Sequence, residues 1–170
     1  MSRIARPLTA GEISMARLVF GDAIDYTRVR VHNTRYLPLV QPKNVCITPN
    51  GSLYFHASRY LEDFSLASEE EQHWFMHEMA HVWQHQLGYP VRLRGAIRLG
   101  LSYDYELSAE LSLCDYNMEA QAELLADYFL LRFRQGADIG VYQTALNGFL
   151  ADPSDPCHLP GARSKGLAGA

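Results

Sequence analysis

The stretch that decides the organisation of this chain is SEEEQHWFMHEMAHVWQHQLG, residues 68–88. Ser68 and Glu71 stand at the spacing of a capping box, and the run of glutamates after Ser68 favours the positive end of a helix. Gly88 supplies a C-terminal stop. The pattern therefore predicts a helix over about 69–87.

Two histidines lie four residues apart in the middle of this predicted helix, in the sequence His77-Glu78-Met79-Ala80-His81. Residues at this spacing share one helix face, about one turn apart, so both imidazoles can bind the same small cation. Nitrogen ligands with a carboxylate partner favour tetrahedral Zn²⁺. Glu78 projects beside the metal, where it can take a proton from a water whose pKa the metal lowers. The motif predicts one zinc ion per chain, with Glu78 as general base.

The same helix also carries His73 and His85, which extend the histidines into a stripe at every fourth position. Three consecutive members of such a stripe span about 12 Å along the helix axis, which is too far for one ion. Only His77 is followed directly by a glutamate. We therefore interpret His77 and His81 as the ligand pair, and His73 and His85 as residues without a direct metal role.

A catalytic zinc needs a third protein ligand and an open position for water. The later stretch NMEAQAELLADYF carries Glu119, Glu123 and Asp127, which lie four residues apart on one face of a predicted helix. Apolar residues surround these carboxylates, and buried carboxylates need a metal or another cation. The residues alone leave open whether Glu119 or Glu123 binds the ion.

Signals elsewhere in the chain predict an α+β fold, with a small antiparallel sheet before the two motif helices. The predicted strands are 26–32, 45–48 and 52–56, the last two joined by a turn at 49–51, and the other predicted helices are 9–20, 107–113, 118–135 and 139–150. The length of 170 residues indicates a single domain, placed at residues 1–151. Residues 152–170, rich in Pro, Gly and Ala, are predicted to form a loosely ordered C-terminal tail.

Composition and charge exclude several classes of protein. The formal charge of −4 argues against nucleic-acid binding. No window holds the roughly 18 apolar residues of a membrane span, and the N-terminus has no apolar run of signal-peptide length. Cys46, Cys114 and Cys157 form no CxxC pair and are expected to be free thiols. We expect a soluble chain made in the cytoplasm, without a signal peptide.

HEMAH followed by a second helix with a glutamate ligand resembles the gluzincin class of zinc peptidases. In that class the first Glu of a Glu-x-x-x-Asp-type pattern binds zinc, and the carboxylate four residues on supports a ligand histidine. Two registers of the second helix fit, one beginning at Glu119 and one at Glu123. The stretches HEMAHVWQHQLGY, SYDYEL and YNMEAQAELLADYF more narrowly resemble metallopeptidase domains associated with VgrG and Rhs proteins of bacterial type VI secretion. That resemblance implies Glu119 as third ligand, with Glu123 as its outer partner or rival.

The same resemblance implies a zincin-like fold and an antibacterial effector peptidase, or toxin, that a contractile injection machine exports. The implied partners are a peptide or protein substrate, a VgrG- or Rhs-type secretion component, and an immunity protein. Tyr103 and Tyr105 are candidates for stabilising the oxyanion, and Tyr105 is selected. The predicted strand 52–56 is the candidate for binding substrate by strand addition. The alternative function is a catalytically silent, zinc-stabilised binding or adaptor module, whose metal a fourth protein ligand would close.

Overall fold

The computed structural model describes residues 4–37, 41–96 and 102–162. The helices are α1 Ala10–Phe20, α2 Glu69–Gln86, α3 Val91–Ala96, α4 Met118–Leu130 and α5 Gly140–Ala151, and the strands are β1 Ala5–Pro7, β2 Arg30–His32 and β3 Leu53–Tyr54. The fold is α+β, as predicted. Within the described ranges no helix combines the length and the apolar character that crossing a bilayer requires.

The helix with the histidine stripe begins and ends close to its predicted bounds. Ser68 precedes α2, and its side chain accepts a hydrogen bond from the backbone N–H of Glu71. A complete capping box would also need the Glu71 carboxylate to accept from the backbone N–H of Ser68. Here this carboxylate instead forms an ion pair with the Arg59 guanidinium, 3.0 Å away. Thr9 and Glu12 do form both halves of a capping box at the start of α1.

The second motif helix also follows the prediction. Asn117 caps α4, and its side-chain oxygen accepts a hydrogen bond from the backbone N–H of Glu119. This cap fixes Glu119 in the first turn of the helix. After α4 the chain continues through a π-helical turn, Leu131–Gln135, and stops at Gly136, whose φ of 61° suits glycine. The predicted helix over 118–135 is confirmed.

The sheet is mixed, and the prediction of an antiparallel sheet is wrong. β1, which was not predicted, pairs antiparallel with β2, whereas β2 pairs parallel with β3. Only the end of the predicted strand 26–32 is extended, because Asp25 caps a 3₁₀ turn at Tyr26–Arg28 by accepting from the backbone N–H of Thr27. A local side-chain cap of this kind competes directly with strand pairing.

The predicted strand 45–48 is reduced to a single antiparallel bridge between Ile47 and Tyr54. The buried Gln41 explains why the hairpin is so short. Its amide nitrogen donates to the carbonyls of Val45 (2.7 Å) and Tyr54 (2.9 Å). The Tyr54 carbonyl also accepts from the backbone N–H of Ile47 in the bridge. At Val45, by contrast, the Gln41 side chain satisfies a carbonyl that a longer ladder of backbone hydrogen bonds would have used.

The predicted helix over 107–113 is absent from the structure of these residues. A turn is followed by a 3₁₀ turn, Leu113–Asp115, in which the carboxylate of Asp115 accepts from the backbone N–H of Ser112 at 2.8 Å. Serines and aspartates bind nearby backbone groups in this way, which favours turns over helix interiors.

The core lies where α2 packs against α4, and α5 covers one end of it. Trp83 of α2 makes edge-on ring contacts with Phe149 of α5, with centroids 5.2 Å apart, and α5 agrees with the predicted helix over 139–150. The three cysteines are free, as expected: Cys46 and Cys114 are buried and Cys157 is exposed.

The segment after α5 is packed against the helices as far as the structure describes it. Three hydrogen bonds attach it: Trp83 Nε1 to Pro153 O at 2.8 Å, Gln121 Nε2 to His158 O at 2.9 Å, and Gly161 N to Cys114 O at 2.9 Å. The expectation of a loosely ordered tail is therefore not met for residues 152–162, because these backbone groups find partners in the core. Residues 163–170 lie outside the described residues.

Candidate metal centre

Five of the predicted site residues line one cleft of about 800 Å³, and the sixth, Tyr105, is not among its lining residues. α2 contributes His77, Glu78 and His81 to its wall, and α4 contributes Glu119 and Glu123. His77, Glu78 and His81 are buried, although all of them border the cleft. The packing of α2 on α4 thus brings residues about forty positions apart in sequence to the same place.

Both candidate ligand histidines face one carboxylate oxygen. The Oε2 atom of Glu119 lies 3.3 Å from Nε2 of His77 and 3.2 Å from Nε2 of His81. The ligand atoms of the three residues all lie within 4.8 Å of one another. Two nitrogens and one carboxylate oxygen therefore surround one position, which is the donor set and the proximity that a zinc site requires.

The other ring nitrogen of each histidine has its own partner. Nδ1 of His77 lies 3.0 Å from Oε2 of Glu123, and Nδ1 of His81 lies 2.9 Å from Oε1 of Gln84. Ligand histidines commonly donate this second N–H to an outer acceptor, which orients the ring. In this geometry Glu119 could serve as a third ligand, and Glu123 could serve as an outer partner of His77. Sequence reasoning missed Gln84, although its place three residues after His81 puts it on the same helix face.

The electrostatics of the centre favour positive charge. Burial alone would lower the pKa of His77, but hydrogen bonds to Glu119 and Glu123 outweigh burial and raise this pKa to about 10. Burial would raise the pKa of Glu119, but its hydrogen bonds to His77 and His81 hold this pKa far below its ordinary value. The carboxylates thus create a field that attracts a proton or a metal cation to the space between the rings.

Two residues that the sequence analysis did not select lie beside the candidate base. The Thr48 hydroxyl donates to Oε2 of Glu78 at 2.5 Å. Cys46 is buried near the same carboxylate, and burial, followed by the charge of Glu78, raises the pKa of its thiol well above its usual range. Cys46 and Thr48 stand two residues apart in an extended segment, a spacing that puts side chains on the same side. This two-residue spacing in a predicted strand was the sequence signal that Cys46 and Thr48 share one side of the segment.

The two outer histidines of the stripe lie outside the group formed by His77, His81 and Glu119. His73 bonds Asp127 instead, with Nε2 2.8 Å from Oδ1. His85 packs against Gly51, where an added Cβ would lie 2.8 Å from the imidazole and where φ is +77°. The turn after the bridge at Ile47 therefore requires glycine for both space and conformation.

Tyr105 and Tyr103 occupy different environments. The Tyr105 hydroxyl donates to Asp127 at 2.5 Å and lies 2.8 Å from the Tyr142 hydroxyl. Burial and the Asp127 carboxylate raise the pKa of Tyr105, so the phenol stays protonated. Tyr103, by contrast, lines the cleft, and its ring centroid lies 5.7 Å from that of His77. Of the two tyrosines considered from the sequence, Tyr103 is the one beside the candidate ligands.

The predicted substrate strand 52–56 has neighbours on both sides. Its Tyr54 exchanges backbone hydrogen bonds with Ile47, and Phe55 N donates to the carbonyl of His32 on β2 at 3.0 Å. Residues 44–49, here named the rim segment, line the cleft directly. The rim segment, rather than β3, is therefore the extended backbone that borders the site.

Comparisons with known proteins show which family the chain belongs to. No protein-family model matches the chain. The chain is 46% identical over 132 residues to the type VI secretion system spike protein VgrG2b of Pseudomonas aeruginosa, a match that covers 74% of this chain and 13% of that protein. The chain thus corresponds to a small part of that relative. A solved structure, the effector domain of Pseudomonas aeruginosa VgrG2b, is 42% identical with a TM-score of 0.72, and the match covers 85% of this chain and 81% of that domain. With this identity and coverage, the chain belongs to the family of the VgrG2b effector domain.

Proposed function

We propose that this chain is a zinc-dependent peptidase domain that acts as a type VI secretion effector. One observation carries the proposal: Nε2 of His77, Nε2 of His81 and a carboxylate oxygen of Glu119 lie within 4.8 Å of one another in a cleft, with Glu78 alongside. Relatives named as a type VI spike protein and its effector domain support the secretion part of the proposal.

The residues present fit a zinc ion. The donor set of two imidazoles and one carboxylate is that of many catalytic zinc sites. In the described parts of the chain, no fourth His, Cys, Asp or Glu joins these three within the same 4.8 Å. A structural zinc would normally have four protein ligands, whereas three protein ligands leave a position for water or substrate. This difference favours a peptidase over a zinc-stabilised binding module.

When bound, zinc would supply Lewis-acid chemistry that lowers the pKa of water and polarises a peptide carbonyl. Glu78 accepts a proton from the attacking water and passes it to the amide nitrogen that leaves, so that the peptide C–N bond breaks with its protons balanced. The Thr48 hydroxyl donates a hydrogen bond to the Glu78 carboxylate. This contact orients the base before the reaction begins, so that Glu78 does not have to be ordered during it.

The rim segment is proposed to bind an extended substrate. Ile47 directs both its backbone N–H and its carbonyl to Tyr54. In an extended antiparallel pair, the neighbouring residues direct theirs to the opposite side. The backbone groups of Cys46 and Thr48 therefore face away from β3, where a peptide lying along the cleft can pair with them by strand addition.

Tyr103 is proposed to stabilise the oxyanion in place of Tyr105. We expect Tyr103→Phe to lower kcat about tenfold or more, because a donor beside the reacting carbonyl is lost. Tyr105→Phe should leave kcat near the wild-type value and lower the free energy of unfolding by about 1 kcal/mol, because the Asp127 carboxylate loses a donor. Kinetics and thermal unfolding of the two variants measure both effects. A larger loss of kcat in Tyr105→Phe would return the catalytic role to Tyr105.

Metal analysis and peptide hydrolysis test the proposed function directly. We expect one zinc per chain, and hydrolysis of members of a diverse peptide library that a chelator abolishes and added zinc restores. His77→Ala should lose both zinc and activity, whereas His85→Ala, which removes an imidazole from the same helix outside the centre, should keep both. Zinc binding without hydrolysis of any library member would instead indicate a binding module. A wild-type chain without zinc would overturn the proposal.

A further inference from the structure

Two fully buried glutamines lie behind the candidate metal centre. Gln84 and Gln121 both have 0% exposure. Gln84 stands on α2, three residues after His81, and Gln121 stands on α4, two residues after Glu119. The amide nitrogen of Gln84 donates to Oε1 of Gln121 at 3.0 Å. The pair thus joins the two helices that carry the candidate ligands.

Backbone carbonyls determine which way both amides point. The terminal nitrogen of Gln121 donates to the carbonyls of Leu113 (2.7 Å) and His158 (2.9 Å). Carbonyls only accept hydrogen bonds, so this end of Gln121 must be the NH₂ group, and its oxygen must face Gln84. The NH₂ group of Gln84 donates to that oxygen and also to the carbonyl of Met118, at 3.0 Å. Its Oε1 is therefore left as the atom that faces His81.

We infer that Gln84 is the positioning residue that prepares His81 to bind zinc, an inference that rests on the proposed function. An acceptor 2.9 Å from Nδ1 of His81 requires a hydrogen on Nδ1. The neutral ring then carries its lone pair on Nε2, the atom that lies 3.2 Å from Glu119. Free imidazole divides its proton between the two nitrogens, so this contact removes the tautomer that cannot bind the metal at Nε2.

The two ligand histidines are therefore oriented by different chemistry. His77 has the carboxylate of Glu123 as its outer partner, whereas His81 has a neutral amide. The relay from His81 through both glutamines ends at the carbonyl of His158, in the segment after α5. This segment therefore helps to hold the residues that orient His81, although none of its described residues lines the cleft.

Gln84→Met tests the inference, because methionine has nearly the shape of glutamine but offers His81 no strong acceptor. We expect the zinc dissociation constant, measured by competition with a chromogenic chelator, to rise about 10- to 100-fold. In ¹⁵N NMR spectra of the zinc-loaded protein, the Nδ1–H signal of His81 should be present in the wild type and lost through solvent exchange in the variant. Neither readout depends on peptide hydrolysis.

Two further variants separate positioning from simple packing. Gln121→Met should lower thermal stability about as much as Gln84→Met, because it also leaves buried carbonyls unpaired, yet raise the zinc dissociation constant much less, since Met118 still orients Gln84. Gln84→Glu keeps an acceptor for His81 but places a carboxylate against two other acceptors. It should therefore unfold at a lower temperature while binding zinc nearly as tightly as the wild type.

The outcomes distinguish this inference from the proposed function. If Gln84→Met binds zinc as tightly as a zinc-binding wild type, Gln84 is a packing residue and the inference is overturned while the proposed function stands. The inference is likewise overturned if Gln84→Met and Gln121→Met weaken zinc binding equally. A wild-type chain that binds no zinc overturns the proposed function and the inference together.

Discussion

Glu78→Gln is expected to lower kcat by about 10²- to 10⁴-fold while the protein keeps its zinc. Glutamine has almost the same shape as glutamate and can still accept a hydrogen bond from Thr48, but it cannot take a proton from water. Glu78 does not belong to the group of residues whose ligand atoms converge on the metal position. Zinc content, measured on the purified variant, should therefore equal that of the wild type, and single-turnover hydrolysis should report the loss.

Glu69→Gln is the matched control for this experiment. Glu69 lies in the first turn of the same helix, is exposed, and accepts a hydrogen bond from Gln135, so the control makes the same chemical change away from the cleft. It should leave both kcat and zinc content unaltered. If Glu78→Gln retained full activity, a different group would have to take the proton, and the proposed mechanism would be wrong.

Glu119→Gln is expected to have the second-largest effect, on metal affinity. Its Oε2 is the atom shared by both ligand imidazoles, so an amide at this position removes the charged ligand. Substituting an outer partner of a ligand typically weakens metal binding by about 10- to 100-fold. We expect Glu119→Gln to weaken zinc binding by more than this, and hydrolysis to be lost as well. Glu123→Gln removes only the outer partner of His77 and should weaken zinc binding about 10- to 100-fold.

Zinc dissociation constants for both variants decide between the two registers that the sequence leaves open. Circular dichroism of the metal-free proteins shows whether each variant keeps its helices, so that a loss of affinity caused by unfolding is recognised. The reverse order, with Glu123→Gln weakening zinc binding more than Glu119→Gln, would make Glu123 the ligand. It would also require the His77 ring to turn, since Glu123 now lies at Nδ1 of His77.

The helices of the site are predictable because their signals are local. Ser68 and Asn117 begin α2 and α4 within the sequence window that a cap requires. The spacing of His77 and His81 on one face follows from helix geometry alone. Which carboxylate of α4 meets them depends on how the two helices pack, and no local pattern contains that register. The resemblance to known zinc peptidases, rather than the spacing, favours Glu119.

The sheet and the supporting residues depend on side-chain hydrogen bonds that the pattern of hydrophobic residues does not contain. The Gln41 amide binds the Val45 carbonyl that a longer hairpin would have used, and Asp25 caps a 3₁₀ turn at the start of a predicted strand. The alternation of hydrophobic residues along a strand does not reveal where a side chain takes the hydrogen bonds that a neighbouring strand would otherwise make. Strand alternation and helix spacing place Thr48 and Gln84 on the relevant faces, but the partners of Thr48 and of the Gln84 amide nitrogen are identifiable only once the rim segment, α2 and α4 are assembled.

The thiol of Cys46 beside Glu78 bears on how the domain tolerates oxidants. Oxidants and disulfides react with the thiolate form, and a raised pKa together with burial keeps Cys46 as the thiol. A chain that passes from a reducing into an oxidising compartment would thus carry a protonated, weakly reactive thiol near the proposed general base. The buried thiol that lines the cleft is thus held in its less reactive form, and the described cysteines are all free, so no disulfide among them has to form or break at such a redox boundary.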